Sequence, residues 1–172
     1  MWVPNKSKLV KICLHSQNKD VETPWAEDDL GEAPGQQGAH LVRLGNVPFL
    51  HAKPTYGDAL IVEYDPVCNR LTWDAGGVPF ERIGERIAED GGRYAMIIDY
   101  ELKPSIDAEK ALRTLDKAGK EANIAVEVMS WPNKKRPGRA HLAVPYAMSV
   151  REVLAYLNAQ NLPMSLTLVH PL

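Results

Sequence analysis

The chain has 172 residues, 45% of them hydrophobic and 24% charged, with a formal net charge of −2, which is the composition of an ordinary globular protein. This charge excludes an electrostatic tail and does not demand a nucleic-acid partner. The N-terminus lacks the apolar stretch of a signal peptide, and no apolar run reaches the roughly 18 residues of a membrane span. We therefore expect a cytoplasmic protein with no membrane partner.

The charge is distributed unevenly along the chain. Residues 1–92 carry 9 Lys and Arg against 14 Asp and Glu, a balance of −5, whereas residues 93–172 carry 11 against 8, a balance of +3. The change in balance coincides with a change in secondary-structure pattern. We expect two domains, a β-rich sheet or barrel over 1–92 and an α+β domain over 93–172.

Short alternating segments predict that the first part is a small twisted sheet or barrel. A first strand over 8–15 is expected to form a hairpin with 21–26, and the acidic, Gly- and Pro-rich segment 27–38 is expected to be a solvated loop. The remaining strands are predicted at 41–44, 59–64, 70–73 and 80–88.

Two further hairpins are predicted from their turn residues. Residues 59–64 pair with 70–73, and 80–88 pairs with 93–100 through the turn over 89–92. The segment 83–88 also fits a helical period near four, but we favour a strand.

The second part has the element order βαββαβ. Strands are predicted at 94–102, 123–131, 139–144 and 165–170, and a basic hairpin loop at 132–138. The first helix covers 107–122 and is capped by Ser105 or Asp107, and the second begins at the capping box of Ser149 and Glu152. This order predicts a ferredoxin-like sandwich, with two helices on one face of an antiparallel sheet.

No pattern in the sequence indicates a reaction. There is no nucleophile elbow, dinucleotide fingerprint or phosphate loop. Asp99 and Glu101 share one side of their strand, which is more typical of a solvent face than of an acid–base pair. We expect neither catalytic residues nor a cofactor.

Metal and thiol chemistry are not expected either. The five histidines are scattered along the chain: His15, His40, His51, His141 and His170. None of them forms a metal-ligand spacing with another, so a metal site would have to be assembled from distant strands. Cys13 and Cys68 are predicted to be buried free thiols, as in a reducing compartment. A dyad of Cys68 with a histidine is conceivable, but nothing in the sequence orients a base toward this thiol.

The basic hairpin loop is the candidate nucleic-acid site. Lys134, Lys135, Arg136 and Arg139 could hold phosphates, and Trp131 could stack on a base. The alternative is a charged hairpin tip that keeps the sheet edge from pairing.

An acidic segment in the first part is the candidate surface for a protein partner. Its carboxylates lie close together in sequence beside Trp25: Glu22, Glu27, Asp28, Asp29 and Glu32. Clustered carboxylates around an aromatic anchor suit a basic protein partner. The alternative is a solvated acidic loop, and we expect the Trp25 ring itself to lie in the core.

Three motifs within residues 22–58 carry a family resemblance: Trp25-Ala26-Glu27, Leu44-Gly45-Asn46-Val47-Pro48-Phe49 and Tyr56-Gly57-Asp58. The chain resembles an uncharacterised bacterial family known only as a domain of unknown function. It departs from that family by its long loop over 28–38. The resemblance implies no catalytic residues.

These observations favour a non-enzymatic protein-binding module, most concretely an immunity protein that neutralises a co-encoded bacterial toxin by steric occlusion. Trp25 or Trp73 would be the anchor. The alternative is a regulatory module that binds RNA or a small ligand through the ferredoxin-like half. A third hypothesis is a hydrolase that uses Asp99 or His141.

Overall fold

The computed structural model describes residues 1–15, 21–28, 30–50, 52–74 and 80–171. The chain is a mixed α+β protein, mostly sheet, and its described residues contain two α-helices. It divides into two compact units, Trp2–Arg93 and Tyr94–Leu172, the second of which also includes Met1.

The first unit contains eight described strands. They are β1 (Leu9–Lys11), β2 (Cys13–His15), β3 (Val21–Glu22), β4 (Trp25–Glu27), β5 (Ala39–Leu44), β6 (Ala59–Asp65), β7 (Arg70–Asp74) and β8 (Ile87–Glu89), with 3₁₀ helices at Lys6–Lys8 and Phe80–Arg86. The strand order is β1-β4-β5-β6-β7-β2-β3, and β8 pairs with β6.

This sheet is curled. Only Ile12 separates β1 from β2, yet β1 lies at one end of the strand order and β2 near the other. The two ends of the sheet therefore approach each other at Ile12. They enclose a core of buried side chains: Ile12, Leu14, Ala26, Val42, Leu44, Leu60, Val62, Trp73 and Ile83.

Two hairpin predictions for this unit are confirmed. The 59–64 and 70–73 strands pair as β6 and β7, with Tyr64 opposite Leu71. The first predicted strand also pairs with 21–26, but it is divided at Ile12, whose backbone N–H donates to the Pro24 carbonyl. Its halves β1 and β2 therefore pair separately with β4 and β3.

The predicted strand over 80–88 is wrong. Phe80–Arg86 forms a 3₁₀ helix that buries Ile83, and only Ile87–Glu89 is extended. The alternative of a helix over 83–88 is also not matched, because 87–88 is extended and the 3₁₀ helix has about three residues per turn rather than four. The hairpin with 93–100 is also wrong, because β8 pairs with β6, whereas β9 (Arg93–Leu102) belongs to the other sheet.

The second sheet has the order β10-β11-β9-β12, where β10 is Ala125–Ser130, β11 is Gly138–Pro145 and β12 is Met164–Pro171. Helix α1 (Ala108–Glu121) contacts β10, and α2 (Val150–Ala159) contacts β12 and α1. Apolar side chains of both helices and of alternate strand positions form one core, which includes Leu115, Leu157, Ile98, Tyr100 and Leu142.

Local sequence signals explain how both helices begin. Asp107, rather than Ser105, caps α1, since its Oδ1 accepts a 2.8 Å hydrogen bond from the Lys110 backbone N–H. Ser149 and Glu152 form the predicted capping box of α2. Each cap satisfies backbone N–H groups that have no partner within the helix.

Candidate functional site

Hydrogen bonds join the first two sequence motifs. The backbone N–H of Trp25 donates to Asn46 Oδ1 at 2.9 Å. The Glu22 carboxylate accepts from the backbone N–H groups of Phe49, at 2.6 Å, and Leu50, at 3.0 Å. Side chains from one segment thus satisfy backbone groups of the other, and the two segments form one framework.

The third motif, Tyr56-Gly57-Asp58, is held by a buried carboxylate. Asp58 is fully buried and accepts 2.7 Å hydrogen bonds from the backbone N–H groups of Thr55 and Gly91. The Lys53 ammonium lies 3.2 Å from the same carboxylate. Burial raises the pKa of Asp58 above its usual value, against the lowering effect of these three partners. This motif closes a turn inside the first unit.

Most carboxylates of the candidate acidic surface have internal partners. Glu27 is buried and accepts a 3.0 Å hydrogen bond from the Asn5 backbone N–H, and Glu22 holds the 49–50 backbone. Asp28 is half-buried, with Oδ1 3.7 Å from His40 Nδ1. Glu32 is exposed and forms a backbone bridge with His40. Asp29 lies outside the described residues.

Trp25 lies at the surface, so its predicted core position is wrong: it is 45% exposed. Successive side chains of β4 point to opposite faces, and Ala26 occupies the inward position. The Lys11 ammonium, opposite Trp25 in β1, lies 4.9 Å from the centroid of the indole ring, a cation–π distance. Val21 and Leu50 are also exposed.

The basic hairpin tip projects three charges into solvent. Lys134, Lys135 and Arg136 are exposed, and the turn is fixed by the Asn133 backbone N–H, which donates to the Arg136 carbonyl at 2.9 Å. Trp131, beside the turn, is 53% exposed. The loop borders an open cleft of about 450 Å³ that Glu101 and Leu102 also line.

Arg139 does not join this cationic group. Its Nε and Nη2 donate to the two carboxylate oxygens of Asp99 at 2.7 and 3.1 Å, a bidentate geometry. Asp99 is therefore an ion-pair partner and not a bare solvent-facing acid. His141 lies on the same strand, β11, and is 1% exposed, so it has no room to stack on a base.

The structure brings together three residues that the sequence patterns left apart. Ligand atoms of Cys13, His15 and Cys68 all lie within 4.8 Å of one another, and Cys68 Sγ is 3.7 Å from His15 Nε2. Both cysteines are free; Cys13 is buried and Cys68 half-buried. A histidine does therefore face the Cys68 thiol.

The signal for half of this cluster was present in the sequence. Cys13 and His15 are two apart on β2, so their side chains share one face. Cys68 lies between β6 and β7 and joins them because β7 pairs in parallel with β2, which places Cys13 opposite Thr72. That long-range pairing has no local signature.

Comparisons with protein-family models, curated proteins and solved structures find no match to this chain. The resemblance of the three motifs to a bacterial family of unknown function stays a prediction. Neither described α-helix has the length and apolarity needed to cross a bilayer. Function is therefore inferred from the chain's own side chains.

Proposed function

We propose that the protein is a non-enzymatic protein-binding module, an immunity protein that acts in the cytoplasm and neutralises a co-encoded bacterial toxin by covering its active site. The observation that carries this proposal is the exposure of Trp25 on a hydrogen-bonded framework. Tryptophan is the residue type most enriched among the residues that dominate binding energy at protein interfaces.

The framework beneath Trp25 supports a binding role because it is already ordered. Asn46 holds the Trp25 backbone, and Glu22 holds the backbone of Leu50, whose side chain is also exposed. Binding through a surface whose backbone is fixed loses less conformational entropy than binding through a mobile loop. Most of the free energy gained when the exposed apolar side chains are buried against a partner can therefore appear as affinity.

Charge supports a basic partner. Residues 1–92 have a net charge of −5. Asp28 and Glu32 follow Trp25 in the chain, and both contact His40, Asp28 through its side chain and Glu32 through its backbone. Opposite net charges on two proteins accelerate their encounter, an effect that salt weakens. In this proposal Glu22 and Glu27 contribute structure, and Asp28, Asp29 and Glu32 steer the partner.

The test uses the product of the adjacent gene, co-expressed with this chain in bacterial cells. The wild-type chain is expected to restore growth and to co-purify with that product. Trp25→Ala is expected to weaken the affinity by at least about 30-fold, since hot-spot truncation costs about 2 kcal/mol or more. Asp28→Lys combined with Glu32→Lys is expected to slow association and reduce its salt dependence.

Trp131→Ala is the matched control, because Trp131 is an exposed tryptophan of the other unit. Its affinity should equal that of the wild type. The proposal fails if the wild-type chain gives no protection, or if the two tryptophan variants lose affinity equally.

The alternative is a regulatory module in which residues 93–172 bind RNA or a small ligand. We infer that this half is a ferredoxin-like sandwich, separate from the β-rich domain over 1–92. The strand order supports this: numbered within the half, it is 2-3-1-4. Exposed Trp131 beside Lys134, Lys135 and Arg136 favours nucleic acid over other ligands.

Titration of a single-stranded RNA oligonucleotide at increasing salt tests the alternative. If it holds, binding weakens steeply with salt, and Lys134, Lys135 and Arg136 → Ala each reduce the salt slope by about 0.7. A chain that binds no RNA at low salt removes RNA binding as the function of this half and leaves the immunity proposal unaffected.

A further inference from the structure

Three soft metal-binding groups converge in the first unit. Ligand atoms of Cys13, His15 and Cys68 lie within 4.8 Å of one another, and the contact between Cys68 Sγ and His15 Nε2 is 3.7 Å. In a tetrahedral zinc site with Zn–S near 2.3 Å and Zn–N near 2.1 Å, neighbouring ligand atoms are about 3.5–3.8 Å apart. We propose that Cys13, His15 and Cys68 bind a Zn²⁺ ion.

The donor set selects the metal. Two thiolates and one imidazole are soft and borderline ligands that suit Zn²⁺, whereas Mg²⁺ and Ca²⁺ require oxygen ligands. This proposal departs from the sequence-based expectation of no metal site, which rested on the scatter of the histidines. The site is assembled from β2 and the β6–β7 turn, which lie far apart in sequence.

The backbone around the cluster is already placed for coordination. Cys13 and His15 alternate on β2, which pairs with β7 in parallel, and Cys68 lies in the turn before β7. Coordination would tie this turn to β2 near the end of the curled sheet. Metal binding and folding stability of the first unit are therefore coupled, since a ligand that binds only the folded state stabilises it.

Asp65 fixes the turn that carries Cys68. Its Oδ1 accepts a 2.7 Å hydrogen bond from the Val67 backbone N–H, next to Cys68 in the chain. The thiolate is the form that binds the metal, so each cysteine releases its proton to solvent when Zn²⁺ binds.

The experiment uses the full chain, reduced and stripped of metal with a chelator, and titrated with Co²⁺ as a spectroscopic probe. We expect one equivalent of Co²⁺ to produce thiolate-to-cobalt charge-transfer absorption and the visible bands of tetrahedral cobalt. Zn²⁺ should displace the cobalt and abolish both. Thermal unfolding of the chain should shift to higher temperature with Zn²⁺.

Variants of each ligand type separate a built site from adventitious binding. Cys68→Ser and His15→Gln should each lose the charge-transfer absorption or weaken Zn²⁺ binding more than 100-fold. His40→Gln is the matched histidine control in the same sheet and should bind like the wild type.

Three results would overturn the proposal. The first is a wild-type chain that shows no thiolate absorption with Co²⁺. The second is Zn²⁺ binding as tight as that of the wild type by both Cys68→Ser and His15→Gln, with both variants shown to be folded by circular dichroism. The third is a Cys13–Cys68 disulfide that forms in air while the reduced chain takes up no Zn²⁺, which would assign the pair to thiol oxidation instead.

Discussion

Asn46 holds the backbone of Trp25: its side-chain oxygen accepts the Trp25 N–H at 2.9 Å across 21 positions of sequence. The contact joins the L-x-N-V-P-F motif to the W-A-E motif. It leaves the indole ring outside the core, beside Lys11. In the proposed binding surface, Asn46 therefore positions the backbone of Trp25, the anchor residue, and need not contact the partner itself.

Replacing Asn46 is expected to loosen this framework. Asn46→Ala removes one hydrogen bond at an exposed position and should lower the free energy of unfolding by about 0.5–1.5 kcal/mol in urea denaturation. Asn46→Asp keeps the acceptor oxygen and should lose less. Equal losses in the two variants would show that the bond to Trp25 contributes nothing.

Removal of the Asp58 carboxylate should be much more destabilising. Asp58→Ala leaves the Thr55 and Gly91 N–H groups and the Lys53 ammonium without their buried acceptor. Breaking a buried ion pair in this way costs about 3–5 kcal/mol. Glu63→Ala, at an exposed position on β6, should change the free energy of unfolding by less than about 0.5 kcal/mol. Similar values for the two variants would contradict the structural role of the Y-G-D turn.

The turn at Gly91 tolerates no side chain. A Cβ atom at Gly91 would lie 2.6 Å from the carbonyl carbon of Gly57, and this neighbour is backbone that cannot rotate away. Gly91→Ala should therefore destabilise the first unit by about 2 kcal/mol or more, as overpacking does. Gly84→Ala is the control, since its Cβ would meet nothing within 4 Å. Calorimetric melting of both variants measures the difference.

The sequence predicted those elements whose ends are set by hydrogen bonds between residues close together in the chain. Ser149 and Glu152 specify the start of α2 through bonds three residues apart, and the β6–β7 hairpin follows from its turn residues. The 3₁₀ helix over Phe80–Arg86 was missed because it is short, and its three residues per turn give neither the alternation of a strand nor the 3.6-residue period of an α-helix.

Long-range pairing explains what the sequence could not predict. Trp25 was expected in the core because large aromatic side chains usually are, but the register of β1 with β4 places it outward beside Lys11. His15 meets Cys68 only because β2 pairs in parallel with β7. The register within the predicted 8–15/21–26 hairpin and the parallel pairing of β2 with β7 have no local signature. The spacing of Cys13 and His15 therefore places both on one face, but only the fold brings Cys68 to them.

The bidentate pair of Arg139 and Asp99 should stabilise the second sheet. A double-mutant cycle with Arg139→Ala and Asp99→Ala is expected to give a coupling energy of about 0.5–1 kcal/mol, because both side chains remain partly exposed. The cycle for Glu109 and Arg113, an exposed pair one turn apart on α1, should give about 0.3–0.5 kcal/mol. A coupling energy of zero for Arg139 and Asp99 would free Arg139 for the RNA alternative.

The capping box of α2 should make stability depend on pH in the acid range. Hydrogen bonds from the Ser149 hydroxyl and backbone N–H lower the pKa of Glu152 below its ordinary 4.5. Between the folded-state pKa and 4.5 the unfolded chain therefore binds more protons than the folded chain, so this group's stabilisation increases with rising pH. It is fully present above pH 4.5 and is lost as the pH falls through the folded-state pKa.

Denaturation of the wild type and of Glu152→Gln from acid to neutral pH isolates this contribution. The difference in their free energies of unfolding should increase through that window and then remain constant. In the Ser149→Ala background the increase should be smaller, because the hydroxyl is the largest cause of the lowered pKa of Glu152. A difference that does not vary with pH would mean that the cap does not act through the carboxylate charge.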